Sequence, residues 1–263
     1  MPLAELRGQR IYYTDSGGEG MPLVLAHGFL MDGDMFEPQV RALTPRHRVI
    51  TWDARGHGRT HSTEEPFTYW DLADDLAALL DHLGVSRAVV GGMSQGGFVA
   101  LRFALRYPDR VLGLLLIDTQ SGQEDPEKAG QYDLMHEVWV GSGPSDQLLS
   151  MVAAIIIGNN TPESPAWIDR WRAREPRGLT QIYRTLMYRD DVTDRMAEIT
   201  APALVIHGAE DVAIDMSLAK RLCQNLSGCR GVVKIEGAGH ASNLTHPEPV
   251  NRAIEDFLGS LSG

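Results

Sequence analysis

Cysteine is scarce in this chain of 263 residues, which holds only Cys223 and Cys229. It also has no run of lysine or arginine, and its longest apolar stretches, Met151 to Ile157 and Val111 to Ile117, are seven residues each. Each shortage excludes something. Seven residues fall far short of the roughly 20 that a helix needs to cross a bilayer. With 24 Lys+Arg against 35 Asp+Glu the net charge is −11, so the chain lacks the basic face from which phosphate contacts supply most nucleic-acid affinity. An anionic membrane surface is disfavoured for the same reason. The two cysteines lie six positions apart with Ser227-Gly228 between them. A bridge is geometrically open to them, but the expectation is two free thiols, at the end of a helix and the start of a strand. Met1 to Arg7 leads to polar Gln9-Arg10 without an apolar h-region, so no secretory signal is expected and the expected location is cytoplasmic.

What is present is an ordinary globular composition, 43% hydrophobic, at a length that fits one large α/β domain or two small ones. Short apolar runs ending in Gly or Asp alternate with segments of helical spacing, the βα pattern of a mostly parallel sheet. The expected strands are Arg10 to Asp15, Pro22 to Ala26, Val49 to Trp52, Ala88 to Gly91, Val111 to Asp118, Pro202 to His207 and Val232 to Glu236. Tyr69 to Leu83 carries Trp70, Ala73, Leu76, Leu79, Leu80 and Leu83 at steps of three and four, an amphipathic helix stopped by Gly84. Similar helices are expected over Met35 to Leu43, Gln95 to Tyr107, Met216 to Leu226 and Pro247 to Leu258. The alternation breaks after Asp118 and resumes at Pro202. Residues 119–201, punctuated by Pro126, Pro144, Pro162, Pro165 and Pro176, read as a helical cap inserted into a core made of residues 1–118 and 202–263. Its helix-like stretches are Gln131 to Val140, Gln147 to Ile157, Pro165 to Arg174 and Leu179 to Tyr188.

The strongest local signal is Gly92-Met93-Ser94-Gln95-Gly96, after an apolar strand and before a helix. Small flanking residues allow a strained strand-to-helix turn that presents the Ser94 hydroxyl. The bare pattern is weak, and its context makes it strong. A serine hydroxyl needs a base to take its proton and a carboxylate to orient that base. In this fold the chain order is Ser, acid, His. His240, after the last expected strand, is the candidate base, with His246 its rival. Asp211, at the end of Gly208-Ala209-Glu210-Asp211, is the candidate acid, with Glu210 and Asp118 as rivals. Negative charge developing on a carbonyl oxygen must meet preorganised N–H donors. The candidates are the backbone N–H groups of Gln95 and of Phe29, the latter in the turn His27-Gly28-Phe29-Leu30. Candidate pocket side chains are Leu30, Met93, Trp139 and Ile156. Metal binding has no support, because His136-Glu137 lacks a second histidine at zinc-motif spacing. Gly56-His57-Gly58 and Gly237-Ala238-Gly239 each lack the third glycine of a dinucleotide fingerprint. No cofactor is implied.

Taken with His27-Gly28 and Asp53-Ala54-Arg55-Gly56-His57-Gly58, these motifs resemble the α/β-hydrolase superfamily over essentially the whole chain. The resemblance implies a mostly parallel central sheet flanked by helices, with a helical cap insertion. It gives Asp53 to Arg59 a structural loop role, which makes His57 noncatalytic. Ser94 at the elbow departs from the haloalkane dehalogenase and epoxide hydrolase patterns, which need a carboxylate there, and leaves acyl chemistry. The run His240-Ala241-Ser242-Asn243-Leu244 and the overall length are similar to the β-ketoadipate enol-lactone hydrolases and small esterases.

The expectation is therefore a serine hydrolase of carboxylic esters or lactones, acting on a small apolar substrate without nucleic-acid or membrane partners. A homo-oligomer is compatible with the sequence. One alternative is a C–C bond hydrolase, whose substrate would carry a second carboxylate and call for a cap arginine such as Arg172, Arg174 or Arg184. Another is a ligand receptor that retains the triad, since a fold does not determine its function.

Overall fold

Runs that are almost wholly apolar can be buried on both faces, and the chain places four of them at its centre. The computed structural model describes residues 2–60, 65–123, 126–158, 161–174 and 178–261. Among these, β1 (Leu3–Leu6), β2 (Gln9–Asp15), β3 (Pro22–Ala26), β4 (Arg48–Trp52), β5 (Ala88–Met93), β6 (Val111–Ile117), β7 (Ala203–Gly208) and β8 (Cys229–Ile235) form one sheet. Its order is β1-β2-β4-β3-β5-β6-β7-β8. The β1/β2 and β2/β4 pairs are antiparallel and all the others parallel. β5 and β7 are buried at every position, and β3 and β6 at all but one, as helices on both faces require. The chain steps from β3 out to β4 and returns on the other side of β3 as β5. That reversal opens a crevice at the carboxyl ends of β3 and β5, where open α/β sheets bind ligands.

The helices are α1 (Glu37–Leu43), α2 (Tyr69–His82), α3 (Gln95–Arg106), α4 (Pro126–Ser142), α5 (Asp146–Ile156), α6 (Ser164–Arg172), α7 (Leu179–Met187), α8 (Met216–Asn225), α9 (Ser242–Thr245) and α10 (Pro247–Leu261). α2 starts where Thr68 and Asp71 form a reciprocal capping box and stops at Gly84, whose φ is 66°. The four helices between β6 and β7 occupy the interval where the alternation breaks. α4 runs longer than expected because Pro126 opens it rather than interrupting it, a position where a missing N–H costs nothing. Pro176 lies outside the described residues. Trp139, Leu149, Ile156 and Trp171 from these helices join the same hydrophobic cluster as the sheet. Polar ties fasten them as well. Arg102, 1% exposed on α3, donates to the Asp190 carboxylate and carbonyl, and Trp171 Nε1 donates to the Leu30 carbonyl at 2.8 Å.

Two expectations are corrected. The sequence reading leaves residues 3–6 unassigned, yet they form β1, whose alternation of exposed and buried residues is too short to stand out. Cys223 and Cys229 are not free thiols but a disulfide, because the turn between α8 and β8 brings their Cα atoms to 5.4 Å. Among the described residues no helix is long and apolar enough to cross a membrane.

Closing so short a loop stabilises the folded chain by about 2 kcal/mol in the chain-entropy description. Thiol titration of the denatured, unreduced protein should find no free thiol. The Cys223→Ser/Cys229→Ser variant should lose about 2 kcal/mol in urea unfolding. Two titratable thiols per chain would contradict the bridge.

Candidate active site

β5 ends at Met93 and α3 begins at Gln95, so Ser94 alone turns the chain from strand to helix. It does so at φ 52° and ψ −115°, a conformation that costs a side-chain-bearing residue about 1–3 kcal/mol. The glycines make the turn feasible. A Cβ on Gly92 would overlap the Gly96 backbone, and one on Gly96 would overlap the Ala26 carbonyl. Hydrogen bonds then hold the turn from both sides. The Ser94 N–H donates to the Ile117 carbonyl at 2.9 Å, and Thr119 Oγ1 donates to the Ser94 carbonyl at 2.8 Å.

Ser94 and His240 line one cavity of about 100 Å³, together with the expected Phe29, Leu30, Met93, Trp139 and Ile156. This volume is comparable to apolar cavities that hold a single small ring. Its wall also contains residues the sequence reading did not assign to the pocket. Tyr132, Met135 and His136 join Trp139 in the lining, at offsets of 0, 3, 4 and 7 along α4, which is one helical face. Leu134 and Val138 on the same helix are exposed, so reading the helix by phase would have separated the two sides. Ala213 and Ile214 complete the wall beside Asp211. Among the described residues, no arginine or lysine lines the cavity. Arg172 is held at the surface by Asp146 and Asp169, Arg174 donates to the Gly56 carbonyl in a neighbouring cleft, and Arg184 is exposed.

The loop after β8 brings His240 Nδ1 to 2.8 Å from Asp211 Oδ2. Donation from Nδ1 leaves the lone pair on Nε2, the tautomer a general base requires. The other Asp211 oxygen accepts from the Ala213 and Ile214 N–H groups at 2.8 and 2.9 Å. Burial alone would raise the Asp211 pKa, but the charge and hydrogen bond of His240 and the Ile214 N–H outweigh it and hold the carboxyl below its ordinary value. The rivals stand elsewhere. Glu210 is exposed, and His246 Nδ1 is 2.9 Å from Thr245 Oγ1, outside the cavity wall. Asp118 is fully buried and accepts from the Gly208 N–H at 2.7 Å and from the Ser242 N–H and Oγ at 3.0 and 2.6 Å. Burial, and then the charge of Asp211, push its pKa up to about 7. Two neighbouring carboxylates thus divide their roles, one charged and one protonated near neutrality. Asp118, His207 and Asp211 bring ligand-type atoms within 4.8 Å of one another. That geometry could clasp a cation, but both carboxylates already have N–H or O–H donors on each oxygen.

Among the described residues, neither the Phe29 N–H nor the Gln95 N–H donates to a protein acceptor. Gln95 lies at the first turn of α3, where backbone donors and the helix dipole favour negative charge. Its side chain is turned away from the cavity. Gln95 Oε1 accepts from the Tyr69 hydroxyl at 3.3 Å, and Nε2 meets His57 Nε2 at 3.3 Å. His57 therefore packs behind the elbow, where burial holds its pKa well below the ordinary value. Asp53 organises the loop around it, accepting from the Gly33 and Arg59 N–H groups at 2.8 Å.

Comparison with known proteins agrees with this architecture. A family model described as alpha/beta hydrolase fold matches residues 21–145. A putative carbamate hydrolase, RutD, of Caulobacter vibrioides is 29% identical over 242 residues, covering 90% of this chain and 89% of the relative. Among solved structures, an esterase from Thermogutta terrifontis superposes with a TM-score of 0.90 at 28% identity, covering 99% of both chains. An enol-lactonase from Burkholderia xenovorans LB400 does so with a TM-score of 0.89 at 27% identity, covering 98% of this chain and 100% of that one.

Protonation of Asp118 has a measurable sign. Its folded pKa lies above the unfolded value, so the folded chain binds the extra proton between about pH 4 and pH 7. Stability falls as pH rises through that window and levels off above it. Asp118→Asn stays neutral but turns an NH₂ group toward backbone N–H donors, so it should be the less stable protein at pH 5. By pH 8 the gap to the wild type should narrow by about 2 kcal/mol. Parallel urea-unfolding stabilities at the two pH values would contradict the raised pKa.

Proposed function

Because the chain belongs to the α/β-hydrolase superfamily, we propose that it is a serine hydrolase of small, uncharged carboxylic esters or lactones, working through an acyl-enzyme. The carrying observation is the shared cavity of Ser94 and His240, with Asp211 bonded behind the imidazole. Ser94 Oγ attacks the carbonyl carbon while His240 Nε2 takes its proton, and Asp211 steadies the resulting imidazolium. The Phe29 and Gln95 N–H groups receive the developing oxyanion. His240 then returns the proton to the leaving alkoxide, and a water activated by the same base releases the acid. The preorganised oxyanion donors and the buried carboxylate supply electrostatic stabilisation that water would have to reorganise to provide.

The uncharged wall supports an ester or lactone without a free carboxylate. It argues against the C–C hydrolase alternative, whose second carboxylate would need a cation that Arg172, Arg174 and Arg184 do not bring to the cavity. We read residues 119–201 as the cap of this site, since α4, α5 and α7 furnish much of its wall. The enol-lactonase and esterase neighbours point to the same chemistry.

A p-nitrophenyl ester series tests the reading. Multiple turnover is expected, best with short acyl chains, and Ser94→Ala should lower kcat by at least about three orders of magnitude while circular dichroism stays unchanged. A single burst without further turnover would favour a receptor that acylates but does not release. Equal rates in both proteins would remove Ser94 from the mechanism.

A further inference from the structure

β7 is apolar except for His207, whose side chain is fully buried at the strand's carboxyl end. A buried imidazole must place both ring nitrogens. Nε2 is 2.9 Å from the Ile214 carbonyl, which can only accept, so Nε2 carries the hydrogen. The same nitrogen lies 3.3 Å from Asp211 Oδ2, the oxygen that receives His240. Nδ1 has no hydrogen-bond partner among the described residues and faces Asp118 Oδ1 at 3.9 Å. Asp118, His207 and Asp211 thus form a compact cluster behind His240.

We propose that His207 is a positioning residue for Asp211, steadying the carboxylate from behind through Nε2 while Nδ1 couples it to Asp118. The inference rests on the roles assigned above to Asp211 and His240. Held by its donation to the Ile214 carbonyl, the His207 N–H stands as a fixed dipole 3.3 Å from Oδ2 of a carboxylate whose other oxygen is fixed by the Ala213 and Ile214 N–H groups. It also stabilises the carboxylate charge without competing for the His240 proton. Burial keeps His207 neutral although Asp211 pulls the other way, so Nδ1 presents a bare lone pair to Asp118. An ionised Asp118 would be repelled by that lone pair, whereas a protonated one meets it favourably. The charged or titratable groups facing His207 are Asp211, Asp118, His240 and, at longer range, Asp215. Those facing Asp118 are Asp211, His207 and His240. His207 does not line the substrate cavity, so its contribution should fall on kcat rather than KM.

His207→Leu removes both nitrogens, and His207→Gln returns an amide N–H near the Nε2 position. With a short p-nitrophenyl ester, His207→Leu should lower kcat about tenfold with KM unchanged. The acid limb of its kcat/KM profile should move to higher pH, because Asp211 without the N–H dipole 3.3 Å from Oδ2 holds the His240 proton more tightly. His207→Gln should recover most of the loss. Wild-type kcat and an unmoved profile in folded His207→Leu would overturn the proposal, as would equal impairment of the two variants. The downfield proton resonance of the His240–Asp211 hydrogen bond reads the same contact without turnover. It should move in His207→Leu and return in His207→Gln whether or not the ester is cleaved. An unchanged resonance would overturn the proposal, whereas absence of Ser94-dependent cleavage would instead overturn the assigned function.

Discussion

The backbone of Ser94 is where the fold meets the chemistry. A residue with a side chain is held at φ 52° because β5 must end and α3 must begin within one residue. Removing the Cβ atoms of Gly92 and Gly96 lets the strand, the helix and the β3 loop approach closely enough to impose that geometry. The strain of about 1–3 kcal/mol is sustained by the buried parallel sheet on either side. In return the Ser94 side chain stands clear of its own strand, and the first helical N–H lies beside it.

Much of this was legible in the chain. The apolar runs of β3, β5, β6 and β7 could be read because strands buried on both faces tolerate almost no polar residue, and their expected limits fall within two residues of those observed. Ser94, Asp211 and His240 were legible as a group because they follow β5, β7 and β8 in turn, where side chains converge at the carboxyl edge of the sheet. β1 was not, since four alternating residues carry too little periodicity. The disulfide was missed for a different reason. Spacing permits a bridge but does not bring two sulfur atoms together, and only the turn between α8 and β8 does that.

The polar surroundings of Asp211 were the least legible part. Asp118 could be weighed only as a rival acid, because sequence order does not reveal which carboxylate meets the imidazole and which is consumed by Gly208 and Ser242. His207 carried no signal beyond being a lone histidine in an apolar strand. Its meaning emerges from distances between β6, β7 and the loops that follow β7 and β8, which are remote in sequence. The face of α4 that lines the cavity could have been read from helical phase, because exposed Leu134 and Val138 alternate with Met135 and Trp139 in the wall.

One serine among all those in the chain is expected to be chemically activated, and that can be read without knowing the natural substrate. Folded protein treated with an aryl fluorophosphonate should gain one adduct per chain, located by mass spectrometry in the peptide containing Ser94, and the same protein should stay unlabelled once denatured. An adduct on a different residue, or none on folded protein, would contradict the central claim that the elbow, His240 and Asp211 together make Ser94 a nucleophile.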